Sequence, residues 1–259
     1  MPPETKPGRV RLVGAGPGAA DLLTVRALRA IEGAQALLYD ALVADEVLAL
    51  APANCLKIQT GKRSGRASMK QETINRLMLR LARRGLDVVR LKGGDPSIFG
   101  RVGEEQAFLQ AHGVATEVVP GVTAACAAAA QFGFPLTHRG EARRVVFTTA
   151  RLEAGVVQGD WATASDPEAT LAIYMGRDAA CAIGAAMIAR GRSPATPAIA
   201  VENAGRPDAR AIPATLASLG AALSEAQADG PVVLIVGDVA ARAAVAVGDA
   251  GRRRAGAVG

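Results

Sequence analysis

Short apolar segments alternate with segments of helical periodicity along this chain, and that alternation restricts the fold more than any other feature. In the first half, the apolar segments lie at residues 10–13, 35–39, 56–60, 87–91 and 115–119. Each is a nearly continuous apolar run, which is typical of parallel strands that are buried on both faces. Helices between such strands cover both faces of the sheet. The sequence therefore predicts the α/β class, with a parallel or mostly parallel sheet.

The same rhythm returns after a polar, loop-like stretch at residues 135–144. Further strands are predicted at residues 145–148, 171–174, 198–201, 209–213 and 232–236. A chain of 259 residues can hold two domains of ordinary size. We predict two α/β domains of about five strands each. The first spans residues 1–139, the second spans residues 140–245, and residues 246–259 form a disordered tail.

A glycine-rich loop, GAGPG at residues 14–18, follows the first predicted strand. Its glycines allow positive φ angles and a close approach of a ligand to the backbone. As G-x-G-x-x-A it nearly matches the dinucleotide-binding fingerprint, and Asp40 ends the next strand, where a ribose-binding acid would lie. Pro17 removes one backbone N–H, which suits a pyrophosphate poorly. The loop favours a nucleotide-like ligand and leaves an NAD(P)-dependent oxidoreductase as an alternative.

A second glycine-rich loop, KGGDP at residues 92–96, follows the fourth predicted strand. Ligands of open α/β sheets bind at this carboxyl edge. Gly93 and Gly94 expose backbone groups, and Asp95 offers a carboxylate to a pair of hydroxyls or to a cation. A tight turn with a capping aspartate is the simpler interpretation. Two glycine loops and a carboxylate nevertheless fit a nucleoside without phosphates better than a dinucleotide.

Composition restricts the ligand and the setting. The net charge of +6 suggests an anionic partner, although each cationic cluster can also be a solvated face. With 3% aromatic residues the chain offers little base stacking, so nucleic acid is not expected. Three cysteines and two histidines match no disulfide framework and no metal site. No apolar segment reaches the ~20 residues that a membrane span needs, and we expect a cytoplasmic protein.

Several motifs, in order along nearly the whole chain, resemble the uroporphyrinogen-III C-methyltransferases of the tetrapyrrole methylase superfamily. The matching stretches are LVGAGPGAADLLTVRAL (12–28), LLYDALV (37–43), GKRSGRASMKQETINRL (61–77), VVRLKGGDPSIFGR (88–101), VVPGVTAACAAA (118–129), FPLTHR (134–139), YMG (174–176) and VENAGRPDAR (201–210). The GxGPG element is shared across the superfamily, whereas RLKGGDPxxFGR is specific to these enzymes.

The resemblance implies a homodimer that binds S-adenosylmethionine in a cleft between two α/β domains, without a metal. Two methyl groups would pass to C2 and C7 of uroporphyrinogen III, giving precorrin-2 for cobalamin or sirohaem biosynthesis. The methyltransferase would stand alone, without the dehydrogenase and chelatase module of some sirohaem synthases. No membrane or nucleic-acid partner is implied. A methylase acting on a later precorrin is the alternative within the superfamily.

The resemblance also implies roles for individual residues. Asp40 matches a proton acceptor and Lys62 a proton donor. The cofactor contacts fall at Pro17, Gly93, Gly94, Asp95, Ile98, Thr123, Ala124, Met175 and Ala204. The substrate contacts fall at Arg63, Arg66, Arg101, Thr137, His138 and Arg139, with Lys62 and Arg151 as further candidates for carboxylate binding. The sequence departs from the family pattern at Ala150 and Arg151, which puts a substrate-side contact in question, and at the cofactor contact Ala204, where glycine is common.

Overall fold

The computed structural model describes residues 7–61, 69–153, 156–158 and 165–243. They form two compact units that divide between Thr123 and Ala124. Two α/β units, each with a five-stranded sheet, confirm the predicted fold class. No helix in the described ranges is both long enough and apolar enough to cross a bilayer.

The first unit contains a five-stranded parallel sheet with the order β3-β2-β4-β1-β5. Its strands are β1 (Val10–Gly14), β2 (Ala36–Tyr39), β3 (Leu56–Gln59), β4 (Val88–Lys92) and β5 (Thr116–Val119). Its helices are α1 (Val25–Glu32), α2 (Asp45–Ala49), α3 (Gln71–Arg83) and α4 (Val102–Ala111). All five strands overlap the predicted ones. The central strands β1, β2 and β4 are buried almost throughout, as nearly continuous apolar runs predict, whereas the edge strand β3 has two exposed residues.

Alternate side chains of these strands pack on opposite faces of the first sheet. Val13, Leu37 and Leu91 pack in the cluster that contains the apolar residues of α1 and α2. Leu12 and Leu38 pack in the cluster that contains those of α3 and α4. The sheet therefore has helices on both faces, and its ligand-binding edges remain the ends of the strands.

The second unit begins with α5 (Ala124–Gln131) and contains a five-stranded mixed sheet with the order β11-β10-β12-β9-β6. Its strands are β6 (Arg144–Thr149), β9 (Ala169–Tyr174), β10 (Pro197–Glu202), β11 (Arg210–Thr215) and β12 (Val232–Val236). A small hairpin contains β7 (Arg151–Glu153) and β8 (Val156–Gln158), and further helices of this unit are α6 (Ala180–Ile188) and α7 (Leu219–Glu225).

The expectation of a mostly parallel sheet is wrong for the second unit. Only β6 and β9 pair in parallel, whereas β9–β12, β12–β10 and β10–β11 are antiparallel. The short connection from β10 to β11 accounts for part of this, because a parallel crossover needs a dozen or more residues. Buried antiparallel strands have the same continuous apolar runs, so the sequence pattern could not separate the two cases.

The division between the units comes earlier in the chain than the boundary proposed at residues 139/140. Ala125, Ala128 and Phe134 pack with Ile199 and Ile235 of the second sheet. The segment from α5 to Phe134 therefore has its apolar partners in the second unit, although the polar loop suggested a boundary after it. The proposed tail at residues 246–259 lies outside the described residues.

Candidate functional site

Three glycine-containing loops meet at the carboxyl edge of the first sheet, because the parallel strands β1, β4 and β5 are neighbours. Gly16 and Gly94 exchange two backbone hydrogen bonds. The Gly94 N–H donates to the Gly16 carbonyl at 2.7 Å, and the Gly16 N–H donates to the Gly94 carbonyl at 3.2 Å. The third loop joins through Gly121, whose N–H donates to Asp95 Oδ2 at 2.9 Å. The two loops that the sequence singled out are therefore directly bonded to each other.

The loops approach so closely that side chains cannot enter between them. A Cβ on Gly121 would lie 2.3 Å from the Gly94 carbonyl oxygen and 2.9 Å from Gly14 Cα. A Cβ on Gly14 would lie 2.7 Å from that same oxygen and from Gly121 Cα. All these neighbours are backbone atoms, which cannot move without moving the loops. Glycine at positions 14 and 121 is therefore a packing requirement.

Replacing Gly121 with alanine should lower the free energy of unfolding by about 3 kcal/mol, because overpacking against backbone forces the chain to shift. Urea unfolding measures the loss. Gly103→Ala is the matched control, since a Cβ there has no heavy atom within 4 Å and lies in α4. The control should retain or gain stability, because alanine is a better helix former than glycine. Equal stability of the two variants would contradict the assigned contact.

Asp95 links its loop to the third loop through Oδ2 and closes its own turn through Oδ1. Oδ2 accepts from Gly121, while Oδ1 accepts from the Ser97 N–H at 2.8 Å and from the Ser97 hydroxyl. The Asp95 carbonyl accepts from the Ile98 N–H at 3.2 Å. These bonds support the simpler interpretation of Asp95 as a turn-forming residue. Its contact with a cofactor stays a prediction.

Gly94 differs from the other loop glycines because the position of its missing side chain is open. It has a φ of +69°, a conformation that L side chains rarely adopt. The nearest heavy atom to its hypothetical Cβ is Thr123 Cα at 3.8 Å. Pro17 and Gly93 lie in the same pair of bonded loops and are partly exposed. This edge has a bare backbone surface on which a flat ligand can lie.

Asp40 follows β2 and is bound to Arg90 of the neighbouring strand β4. Arg90 Nη2 donates to Asp40 Oδ1 at 2.5 Å, and Thr60 Oγ1 donates to the same oxygen at 3.3 Å. In the dinucleotide fold, β2 lies beside β1 and its terminal acid binds the ribose. Here β4 lies between β1 and β2. The strand order and the engaged carboxylate both argue against the oxidoreductase alternative.

The segment from β4 to α4 carries two non-glycine residues with left-handed backbones. Phe99 has a φ of +54° and Arg101 a φ of +56°. Such conformations cost of order 1–3 kcal/mol each and occur where the surroundings impose them. Arg101 is exposed, and its guanidinium donates to Glu104 at 2.8 and 2.7 Å. That hydrogen bond raises the pKa of Arg101 and lowers the pKa of Glu104.

A second group of predicted residues gathers at one edge of the second sheet. β9 and β10 each run antiparallel to β12, and β6 runs parallel to β9, so all three strands end at the same edge. Ala150 follows β6, Met175 follows β9 and Ala204 lies just beyond β10. Met175 is 60% exposed with a φ of +56°, whereas Ala150 and Ala204 are buried. Ala150, one of the departures from the family pattern, lies beside the predicted cofactor contact Met175, because its N–H donates to the Tyr174 carbonyl at 3.1 Å.

Helix α5, which begins at the predicted cofactor residue Ala124, is fixed to the same edge at both ends. The Ala125 N–H donates to the Tyr174 hydroxyl at 3.2 Å. Gln131 accepts from the Gly205 N–H at 2.9 Å and donates to the Arg206 carbonyl at 3.1 Å. The ends of β9 and β10 thus set the position of α5 through polar contacts.

Glu202, the last residue of β10, contributes to the free energy of unfolding by an amount that depends on pH. Burial alone raises the pKa of its carboxyl, but hydrogen bonds from Arg210 and from the Gly230 N–H at 2.7 Å outweigh burial and hold the pKa below its ordinary value. A carboxyl whose folded pKa is depressed stabilises the native state above its unfolded pKa, about 4.3 for glutamate. That contribution is lost as the pH falls through the folded pKa.

We therefore expect Glu202→Gln to lower the free energy of unfolding at pH 7 more than at a pH of about 3. Urea unfolding over this pH range measures the difference. Glu225→Gln, at an exposed position of α7, serves as the control for removing one surface charge. If Glu202→Gln lowers the free energy of unfolding equally at both pH values, the substitution removes packing and not the charged hydrogen bonds.

The predicted substrate loop at Thr137, His138 and Arg139 follows α5 in the second unit. Thr137 and Arg139 are exposed. His138 pairs with Ala142 through two backbone hydrogen bonds of 2.9 Å, and its Nδ1 lies 3.6 Å from Glu141 Oε1. Glu141 is in turn bound by Arg242, whose hydrogen bond lowers the pKa of Glu141. His138 therefore shapes the turn that presents its two neighbours.

Lys62, Arg63 and Arg66 lie outside the described residues, so their predicted roles stay predictions. The sequence reasoning missed four residues of the first unit, which are the buried Arg90, Lys92 and Glu105 and the closely packed Gly121. The signal was present for the charged ones. Arg90 and Lys92 are two residues apart in a strand, and Glu105 lies four residues before the buried Leu109, so each interrupts a face that should be apolar.

Residues 9–220 match the family model described as Tetrapyrrole (Corrin/Porphyrin) Methylases. The chain is 45% identical over 237 residues to a uroporphyrinogen-III C-methyltransferase of Paracoccus denitrificans, covering 91% of this chain and 83% of that relative. It is 47% identical over 232 residues to a siroheme synthase of Azotobacter vinelandii, covering 90% of this chain and 50% of that protein. It thus spans about half the length of the siroheme synthases it matches.

Among solved structures, a similar one is a uroporphyrin-III C-methyltransferase from Thermus thermophilus in complex with S-adenosylhomocysteine. The TM-score is 0.75 at 44% identity, and the match covers 90% of this chain and 98% of that chain.

Proposed function

The chain belongs to the tetrapyrrole methylase family, and from this premise we propose that it is an S-adenosylmethionine-dependent C-methyltransferase. It adds two methyl groups, at C2 and C7 of uroporphyrinogen III, to give precorrin-2. The observation that carries the proposal is the bonded pair of glycine loops at Gly16 and Gly94, because these loops contain the two motifs on which the resemblance depends.

The edge formed by these loops fits a nucleoside such as the adenosyl group of the methyl donor. Gly94 leaves its side-chain position open, and the partly exposed Pro17 and Gly93 continue the bare surface. Backbone N–H and C=O groups there can bind a ribose or an adenine without charge neutralisation, which a pyrophosphate would need. The further proposed contacts are Ile98, Thr123, Ala124, Met175 and Ala204.

Cationic side chains suit the polycarboxylate substrate. Arg101 and Arg139 are exposed, and a guanidinium binds a carboxylate through two parallel hydrogen bonds. Arg101 is already paired with Glu104, so a substrate carboxylate must share or displace that partner. Lys62, Arg63, Arg66, Arg151, Thr137 and His138 complete the proposed substrate contacts.

The chemistry requires little of the protein beyond orientation and one proton acceptor. S-adenosylmethionine supplies an electrophilic methyl group on a sulfonium. The chain aligns the electron-rich pyrrole carbon with that methyl group and excludes water, which can lower a barrier by several kcal/mol. After the new carbon–carbon bond forms, the macrocycle carries a positive charge and must lose a proton. Asp40 accepts it, with Lys62 as the proposed donor.

We also propose a homodimer in the cytoplasm, on the basis of the family resemblance alone. Equilibrium sedimentation tests the oligomeric state. A methylase of a later precorrin is the second candidate within the family. RLKGGDPSIFGR at residues 90–101 favours uroporphyrinogen III, because that element is specific to the enzymes the chain resembles.

The test is anaerobic incubation with uroporphyrinogen III and methyl-labelled S-adenosylmethionine, followed by mass spectrometry of the tetrapyrrole. We expect a product that has gained two labelled methyl groups. Binding of S-adenosylhomocysteine without any methyl gain would refute the substrate and favour a later precorrin. Binding of a nicotinamide nucleotide in place of S-adenosylhomocysteine, measured by fluorescence titration, would refute the methyltransferase proposal.

A further inference from the structure

A cluster of buried charges lies below the carboxyl edge of the first sheet. Arg90 and Lys92 are two residues apart in β4 and therefore point to the same face of the sheet. The side chain of each is at most 5% exposed. Glu105 of α4 is completely buried between them and α3. Its Oε1 accepts from Lys92 Nζ at 3.0 Å, from Gln71 Nε2 at 2.9 Å and from Arg90 Nε at 3.3 Å, and its Oε2 accepts from Lys92 at 3.1 Å.

Filling this part of the core with charged side chains carries a high desolvation free energy. Moving two charges out of water costs several kcal/mol per ion, and apolar residues of similar volume often stabilise a protein as well or better. Burial lowers the pKa of Lys92, and the nearby Arg90 lowers it further, whereas Glu105 and Asp40 raise it. The arrangement therefore indicates a need for charges at fixed positions rather than a need for stability.

The cluster reaches the surface at Asp40, which Arg90 binds. Arg90 is fixed at three points, since Nε donates to Glu105, Nη1 donates to the Leu91 carbonyl at 2.9 Å and Nη2 donates to Asp40 at 2.5 Å. Asp40 is the partly exposed member, with 32% of its side chain accessible. Within the described part of the chain, the hydrogen bonds to the Asp40 carboxylate all end on Oδ1.

We propose that Arg90 is a positioning residue for the proton-transfer step: anchored on buried Glu105, it holds Asp40 through Oδ1 so that Oδ2 faces the substrate. The inference depends on the proposed function and on Asp40 as the proton acceptor. The carbon–sulfur bond electrons leave with the sulfur, the pyrrole carbon forms the new bond to the methyl group, and the proton moves from the macrocycle to Asp40 Oδ2 while its bond electrons return to the ring.

Thr60 is a second residue that contacts Asp40 Oδ1. Its hydroxyl lies 3.0 Å from the Tyr39 carbonyl and 3.3 Å from Asp40 Oδ1, and the residue is buried. Arg90 and Thr60 thus approach one oxygen from two strands, β4 and the end of β3. A single contact would leave the carboxylate free to rotate, whereas two contacts at one oxygen orient the other.

The experiment is a double-mutant cycle on the full chain with Arg90→Met, Asp40→Asn and the double variant. We expect Arg90→Met to lower kcat by about 10-fold or more with unchanged KM for S-adenosylmethionine, because it leaves the donor site intact. The double variant should be no slower than Asp40→Asn alone, because Arg90 acts through Asp40. Losses that multiply in the double variant, or an unchanged kcat in Arg90→Met, would overturn the proposal.

Two further variants separate positioning from folding. Arg90→Lys keeps the charge but cannot hold Glu105 and Asp40 together with a planar fork, so it should recover part of the kcat lost in Arg90→Met. It is also the variant to measure if Arg90→Met does not fold, with a lowered kcat at unchanged KM as the expected result. Arg76→Met, which removes the exposed partner of Glu72 on α3, is the control and should leave kcat unchanged.

A crystal structure of Arg90→Met, or of Arg90→Lys, tests the inference independently of activity. The Asp40 carboxylate should rotate or become disordered relative to the wild-type crystal structure. An unmoved carboxylate would overturn the positioning role even if the wild-type enzyme methylates uroporphyrinogen III. A moved carboxylate in a wild-type protein that methylates no tetrapyrrole would instead refute the proposed function while keeping the structural inference.

Discussion

Replacing Gly94 with valine is expected to abolish binding of S-adenosylhomocysteine while both sheets remain folded. Gly94 has a φ of +69° and the nearest atom to its hypothetical Cβ is 3.8 Å away, so the native fold has room for a Cβ at this position. That room is the surface where we place the ligand. The side chain should therefore raise the Kd by about 100-fold or more, which corresponds to about 2.7 kcal/mol. Isothermal titration calorimetry measures the loss.

The backbone strain of this substitution needs its own control. An L residue in the left-handed region costs roughly 1–2 kcal/mol, so Gly94→Val should lower the free energy of unfolding by about that amount. Gly113→Val provides the match, since Gly113 has a φ of +73°, no heavy atom within 4 Å of its hypothetical Cβ and a position after α4. It should lose similar stability and bind the ligand normally. Normal binding of S-adenosylhomocysteine by Gly94→Val would exclude this edge of the first sheet as the ligand site.

Replacing Asp40 with asparagine should lower kcat by about 100-fold or more, because general-base catalysis typically contributes 10²–10⁴-fold. The substitution keeps the shape of the side chain and can still accept from Arg90 and Thr60. It removes only the ability to take a proton at neutral pH. Binding of S-adenosylhomocysteine should be unchanged, so the loss appears in kcat and not in the Kd for the cofactor product. Steady-state kinetics under anaerobic conditions give the value.

Asp87→Asn is a closely matched control for this variant. Asp87 is also paired with an arginine, since Arg9 Nη2 lies 3.1 Å from its Oδ2, and its side chain is 33% exposed against 32% for Asp40. It lies just before β4, whereas Asp40 lies beyond the carboxyl end of β2. Asp87→Asn should therefore leave kcat unchanged. Equal activity of the two variants would exclude Asp40 as the proton acceptor.

Much of the candidate site follows from local sequence, because strand ends and glycine loops are local features. Gly16 and Gly94 were identified from short motifs, and the structure shows them bonded to each other. The hydrogen bonds of Asp95 within its own turn and to Gly121 are visible only in the structure, and its contact with a cofactor stays a prediction. Gly121 received no role, because a Pro-Gly turn after a strand does not reveal which backbone it will touch.

The buried charges could not be assigned from the sequence for a different reason. Arg90, Lys92 and Glu105 interrupt faces that should be apolar, but charge alone predicts exposure and the sequence does not show which partners they meet. They form a network only when α4 packs onto β4. A buried charge loses its hydration free energy, and partners from other elements must be in place to offset that loss. The connection from that network to Asp40 crosses fifty residues of sequence in one hydrogen bond of 2.5 Å.

The sequence by itself determined the α/β class, ten of the strands, the glycine loops and the family, because hydrophobic periodicity and short motifs depend on neighbouring residues. The tertiary structure decided the strand order that places β4 between β1 and β2, the antiparallel pairing of the second sheet and the unit to which α5 belongs. It also decided which charges are buried together. These features depend on contacts between residues far apart in the chain. A continuous apolar run is compatible with a parallel or an antiparallel strand and with several strand orders in the sheet.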